Sequence, residues 1–234
     1  MTAVALLSGG LDSTVATAAA CADGGVELAL TFDYRHRAAG PEVAAARAIA
    51  AALGVEHRVI PLGFLGDATR TALVDRAAEV PNPSAAALDD AHGAAARSMA
   101  AVWVPNRNGL FIAVGAAFAE SIGAEAVVVG FNREEAATFP DNSPEFVART
   151  NAALELSTRN GVRVVSATAG LDKEGIVRLG VELGAPLRYV WSCYEGLDRP
   201  CGRCESCLRL GRALDRAGER SRFEEEWTRG DDDA

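Results

Sequence analysis

The chain has 234 residues, a mass of 24.4 kDa and a formal charge of −9. At this length one core buries most of the apolar surface without disulfide staples, and 49% hydrophobic against 24% charged residues excludes wholesale disorder. The acidic balance argues against a nucleic-acid groove, which needs a basic stripe. No run of apolar residues is long enough for a membrane span, and Met1 leads directly into a strand-like segment, so no signal peptide is expected. Small-molecule chemistry in the cytoplasm is the expected class.

The first segment, Ala3 to Leu7, is a short apolar run suited to a strand buried on both faces, as in a parallel sheet. Ser8-Gly9-Gly10 follows, and Asp12-Ser13-Thr14 opens a small-residue helix that ends near Asp23. Val26 to Phe32 reads as a second strand, Glu42 to Leu53 as a helix capped by Gly54, and His57 to Ile60 as a third strand. Residues 61–101 are less regular, with Pro81-Asn-Pro83 between two Ala-rich helical stretches, and read as a cap inserted over the sheet edge. Beyond it come a helix over Leu110–Ile122, a strand over Ala126–Phe131, a helix over Glu145–Arg159, a strand over Val162–Ser166 and a helix over Lys173–Leu183. The alternation predicts an α/β fold with an open, parallel, five-stranded Rossmann-like sheet. From Trp191 the pattern becomes a Cys-rich knuckle, then a helix over 205–217 and an acidic tail over 218–234 that is expected to be mobile.

The first strand–helix junction is built to hold an anion. Paired glycines let main-chain N–H groups approach a phosphate closely, and the following helix directs its positive dipole end at the same place. Ser8, Ser13 and Thr14 add hydroxyls, and Asp12 is placed to hold a magnesium ion riding on phosphates. No Gly-Lys-Ser/Thr follows, so this is not a Walker loop.

Cys193, Cys201, Cys204 and Cys207 have the spacing C-x7-C-x2-C-x2-C. Two short C-x2-C steps bring sulfurs from one tight turn to a single tetrahedral ion, and Gly202 eases that turn. Zinc in a closed, structural Cys₄ shell is favoured over an iron–sulfur cluster or a redox pair. Cys21 lies apart in an apolar helix and reads as a buried small hydrophobe.

Only one of the 23 basic residues, Lys173, is a lysine. A chain that otherwise uses arginine keeps lysine where a compact point charge is needed, the alternative on composition alone being a solvated lysine at a helix start. Placed after the fifth strand, its ammonium is expected to reach the phosphate loop. Because it makes no core contact, its removal is expected to leave thermal stability nearly unchanged.

The stretch from Ser8 to Ser13 resembles the pyrophosphate loop of the ATP pyrophosphatase superfamily. With Val104-Pro-Asn-Arg-Asn-Gly109, Trp191-Ser-Cys-Tyr-Glu195, Arg199-Pro-Cys-Gly-Arg-Cys204 and the Lys173 segment, the chain from about residue 3 to 217 resembles the 7-cyano-7-deazaguanine synthase (QueC) family. The resemblance implies an adenine nucleotide alpha hydrolase-like fold, with an ATP-binding domain over 1–190 and a zinc-binding segment over 191–217. It implies a loop from Leu7 through Ser8, Gly9, Gly10, Leu11, Asp12, Ser13, Thr14, Val15 and Ala16 to Thr17 that grips ATP with magnesium. It also implies one zinc on the four cysteines, a homodimer, and conversion of 7-carboxy-7-deazaguanine and ammonia to the nitrile through adenylated acid and amide. Asp12 and Lys173 are then the expected catalytic residues. Asn106, Arg107, Asn108, Asn132, Arg133 and Asp141 are the expected substrate-binding residues, although Asn108 alternatively reads as a helix cap. Glu134 follows Asn132 and Arg133 at the same strand end, and His36, His57 and His92 carry no metal spacing and no assigned role.

The family pattern differs here in two places. Asp33-Tyr-Arg-His36 lacks a Gly-Gln pair, and the segment ending Pro140-Asp-Asn-Ser143 lacks a Cys-Arg pair. The second falls where the deazapurine pocket is expected. Two other readings remain open on sequence: another amidating or tRNA-thiolating adenylating enzyme, and a zinc-stabilised nucleotide-binding module without turnover.

Overall fold

The structure, a computed structural model, describes residues 1–90, 93–221 and 223–224. His92 and the end of the acidic tail lie outside the described residues. In chain order the first elements are β1 (Ala3–Leu6), α1 (Leu11–Asp23), β2 (Val26–Asp33), α2 (Ala39–Leu53) and β3 (Glu56–Pro61). They are followed by α3 (Gly63–Asp67), α4 (Ala94–Val102), α5 (Arg107–Ile122), β4 (Ala126–Val128) and α6 (Arg133–Ala136). The chain continues through α7 (Pro144–Ser157), β5 (Arg163–Val165), α8 (Lys173–Glu182) and α9 (Glu205–Ala217).

All strand pairs are parallel, in the order β3-β2-β1-β4-β5. The order reverses between β1 and β4, and open α/β sheets bind ligands at the carboxyl ends of strands flanking such a reversal. The loop after β1 and the turn after β4 both emerge there.

The alternation of side chains explains the layering. One face carries Val4, Leu28, Leu30, Val127 and Val164, which pack with Ile112, Ala116 and Leu154 of α5 and α7. The other face carries Ala3, Ala5, Ala29 and Ala126, against Ala16 of α1 and Ala46, Ile49 and Ala50 of α2. Small residues on both sides let α1 and α2 lie close to the sheet. A further cluster joins Leu11 and Val15 of α1 to Ile176 and Val177 of α8 and Leu210 and Leu214 of α9, so the C-terminal helix is part of the core.

Several boundaries differ from the sequence reading. β4 stops at Val128 because β1, its ladder partner, ends and turns into the loop. α5 begins three residues early, and its N-cap is Asn106, in left-handed conformation at φ 52°, rather than Asn108. Within 61–101 the first Ala-rich stretch is a single 3₁₀ turn over Ala85–Asp89, close after Pro83, whereas the second forms α4. Cys21 is half-buried rather than buried, because it lies near the frayed C-terminal end of α1.

The 61–101 segment folds back across the carboxyl end of the sheet. The Arg37 N–H donates to the Leu73 carbonyl at 2.7 Å, the Glu205 N–H donates to that of Pro81 at 3.3 Å, and Val80 packs against Cys193 and Cys204. Arg37 also bonds Glu195 at 3.1 Å and the carbonyls of Asp75 and Ala78. One guanidinium thus ties the chain after β2, the inserted segment and the knuckle together. Among the described residues no helix is long and apolar enough to cross a membrane.

Candidate active site

A cleft of about 280 Å³ opens over the carboxyl ends of β1, β2 and β4. Ser8, Gly10, Leu11, Asp12 and Ser13 form one wall. Gly9 sits at φ +82°, and a Cβ there would lie 2.8 Å from the Glu42 carbonyl oxygen, so no other residue fits this turn without strain. Ser13 Oγ accepts from the Ser8 N–H at 3.2 Å and lies 3.0 Å from Ser8 Oγ, closing the loop on itself. Gly10 caps α1 without a side-chain acceptor. The first N–H groups of α1 have no intrahelical acceptor and are left to bind an anion.

The members of the expected loop divide into two sets. Leu7 to Ser13, apart from Gly9, line the cleft. Thr14, Val15, Ala16 and Thr17 instead face the interior, with the Thr14 and Thr17 hydroxyls donating to the carbonyls of Gly10 and Ser13 at 2.7 Å. These four hold the loop in place from below.

Lys173 reaches the loop as its position predicts. Its ammonium bonds the Asp12 carboxylate and Glu135 Oε1, the latter at 2.8 Å, and its side chain is only 14% exposed. Asn132 Nδ2 donates to Asp12 at 3.2 Å, while Asn132 Oδ1 accepts the Glu135 N–H at 2.9 Å and so caps α6. The Lys173 N–H donates to Glu134 Oε1 at 2.9 Å. Burial opposes the ammonium, but Asp12 and Glu135 outweigh it and hold Lys173 above its ordinary value. Burial pushes Asp12 up to about 6 against the pull of Lys173, and the neighbouring Glu135 charge adds to the rise. Glu135 itself is held low, because Lys173 and the bonds it accepts overcome its burial. Asp12 Oδ1 is buried without a hydrogen-bond partner.

The opposite wall is aromatic. Phe32 and Phe111 stack at 4.1 Å between centroids, and Tyr34 and His36 stack at the same distance. Arg107 and Asn108 line this wall, with Arg107 Nη1 donating to the Tyr34 hydroxyl at 3.3 Å. Burial raises the Tyr34 phenol above its ordinary value and holds Asp141 above its own, the latter against the charge of Arg107. Asn132 is completely buried and reaches the site through Asp12. Asn106 and Asp141 stand behind the lining residues rather than among them, and the Arg133 side chain turns outward to Asp172 at 2.6 Å.

Sequence reasoning missed Glu135, His36 and the N-terminal end of α9. Asn132 and Glu135 have the spacing of a helix-capping pair, a signal that was available. His36, which carried no assigned role, lines the cleft and is 2.8 Å from Glu42. Glu205, Ser206 and Arg209, on either side of Cys207, line it too. Arg209 bonds Glu205 at 2.8 Å and Glu134 at 3.5 Å, which links α9 to the Lys173 N–H.

The four knuckle sulfurs lie within 4.8 Å of one another. The N–H groups of Glu195 and Cys201 point at Cys193 Sγ, at 3.4 and 3.3 Å, and that of Cys204 points at Cys201 Sγ at 3.3 Å. Such donors compensate thiolate charge around a metal. Four converging sulfurs with N–H support fit one tetrahedral cation.

Comparison with known proteins agrees with this geometry. The family profile described as queuosine biosynthesis protein QueC matches residues 2–218. A 7-cyano-7-deazaguanine synthase of Pelotomaculum thermopropionicum is 54% identical over 218 residues, covering 93% of this chain and 98% of that one. The synthases of Desulforamulus reducens and Methanosarcina barkeri are 50% and 48% identical, each match covering 93% of this chain and 95% of the relative. Among solved structures, an NMN synthetase from Francisella tularensis aligns with a TM-score of 0.45 at 15% identity, over 92% of this chain and 84% of that one. Matched from its second residue to the end of α9 and nearly collinear with these relatives, the chain belongs to the QueC family.

Proposed function

We propose that the chain converts 7-carboxy-7-deazaguanine and ammonia to 7-cyano-7-deazaguanine with two ATP, releasing two AMP and two pyrophosphates. The observation that carries this reading, beside family membership, is the meeting of Lys173, Asp12 and Glu135 at an uncapped helix N-terminus. The loop N–H groups would take the β,γ-phosphates, leaving the α-phosphorus open. A substrate carboxylate oxygen attacks that phosphorus and the bond to pyrophosphate breaks. Ammonia then displaces AMP to give the amide, whose oxygen is adenylated in turn, and loss of AMP and protons leaves the nitrile. Donors aimed at the departing pyrophosphate stabilise charge as it develops.

Asp12 Oδ1, buried and without a partner, suits a magnesium ion, which would neutralise phosphate charge. The cysteine knuckle suits zinc, structural because four thiolates leave no open position. A tRNA-thiolating reading needs a free cysteine at the site, and no cysteine lines the cleft among the described residues. Cys21 is roughly 14 Å along α1 from Asp12. The family relation alone supports ammonia as nitrogen donor and a cytoplasmic homodimer.

The test is to supply the acid, ammonia and ATP and identify the nucleotide product. AMP with pyrophosphate supports the reading, whereas ADP as primary product overturns it. A pH profile adds a sharper check. With Asp12 pushed up to about 6, activity requiring its ionised form should fall below pH 6. Glu135→Gln removes a charge that raises Asp12, so the acidic limb of kcat/KM should move to lower pH. An unmoved limb would dissociate it from Asp12.

A further inference from the structure

Among the described residues, the arginines and lysine lining the cleft are Lys173, Arg209 and Arg107. Lys173 is neutralised by Asp12 and Glu135, and Arg209 by Glu205 and Glu134. Arg107 makes no direct ion pair with a described residue, although the Asp141 and Glu135 carboxylates act on it from farther off, and the one hydrogen bond of its guanidinium is the 3.3 Å contact to the neutral Tyr34 hydroxyl. A guanidinium has five N–H donors in a planar fork, so most of this one is left unused. It also has a flat neighbour. Arg107 and Phe111 are four apart on α5 and share a helix face. Phe111 stacks with Phe32 at 17° and lies 6.0 Å from Tyr34, giving a ring wall beside the fork.

The geometry points to Arg107 as the group that recognises the carboxylate of a planar aromatic acid, and thereby distinguishes the acid from its amide. The inference rests on the reading proposed above and adds to it a residue that selects the first substrate. A planar fork matches a carboxylate in shape and charge. Phosphates have their own receptors in the loop N–H groups at the start of α1. One carboxylate oxygen held by Arg107 leaves the other free to attack the α-phosphorus. The amide, being neutral, gains no comparable ion pair.

The test is calorimetric binding of 7-carboxy-7-deazaguanine and of its 7-carboxamide, without ATP, to wild type, Arg107→Gln and Arg107→Lys. Far-ultraviolet melts and metal content check folding. Loss of a charge-assisted bond is expected to weaken acid binding roughly 10- to 100-fold in Arg107→Gln, with a much smaller change for the amide. Arg107→Lys should fall between, and it carries the test if the glutamine variant does not fold. In turnover, kcat/KM for the acid should drop at least tenfold more than for the amide. Equal weakening of acid and amide, a loss appearing only in the KM of ATP, or no binding of the acid to wild type overturns the assignment. Acid binding that depends on Arg107 in a protein that never releases AMP would uphold the assignment and overturn the reaction.

Discussion

Lys173→Arg will give a folded protein with at least ~10²-fold lower adenylation, the scale of losing a preorganised electrostatic group. The side chain stands between Asp12 and Glu135 in a space shaped for an ammonium, with Asn132 fixing Asp12 from the other side. A guanidinium keeps the charge but brings a wider fork that must displace one carboxylate. Lys173→Ala should be at least as inactive, and here the structure reverses the sequence-based expectation for stability. Removing the ammonium leaves two carboxylates facing each other with no cation, and breaking such a buried arrangement costs about 3–5 kcal/mol. The penalty depends on pH in a defined direction. Asp12, already raised to about 6 with Lys173 present, rises further without it, so acid relieves the repulsion. The deficit in Tm against wild type should therefore be larger at pH 8 than at pH 5. Thermal melts at the two pH values check this, and full turnover in Lys173→Arg would show that any cation serves.

Cys204→Ser should lose the zinc proposed for the knuckle and, with it, the knuckle. Structural zinc contributes apparent binding energy on the order of 10 kcal/mol, coupled to folding. Cys204 is buried, caps α9 and packs with Val80 of the inserted segment, so its loss reaches beyond the metal. Arg209, on the same helix, would no longer hold Glu134 against the Lys173 N–H. The expected result is less than one equivalent of zinc by atomic emission, a much lower melting point and little activity. A variant with wild-type melting and full zinc content would remove the structural role from the fourth thiolate.

The features legible in the sequence were those whose physical cause is local. The apolar run Ala3–Leu7 suited a strand buried on both faces, and the Gly-Gly turn with its hydroxyls had to expose N–H groups. The cysteine spacing brought four sulfurs together without knowledge of the rest of the chain. Lys173 was legible because its identity was anomalous, not because its partners were visible. What remained hidden came from pairing across the fold. Nothing local to Glu135 reveals that its carboxylate meets Lys173, and nothing near Arg209 reveals Glu134. Arg133 misled for the same reason, since strand-end position alone does not decide that it turns to Asp172. The short 3₁₀ turn over Ala85–Asp89 shows helix propensity overruled by nearby prolines and by the bond of Arg209 to the Leu88 carbonyl.

The Trp191 N–H donates to the Gly9 carbonyl at 2.9 Å, fastening the start of the knuckle segment to the phosphate loop. This bond has a meaning for synthesis on the ribosome. The loop emerges long before Trp191, which fastens it, and before α9, which completes the core over α1. Domains fold as their chain becomes available. A nascent or truncated chain ending before Trp191 would carry the loop residues but lack this fastening and the α9 wall of the cleft. The loop is therefore held in its final form only once synthesis has passed Trp191 and α9.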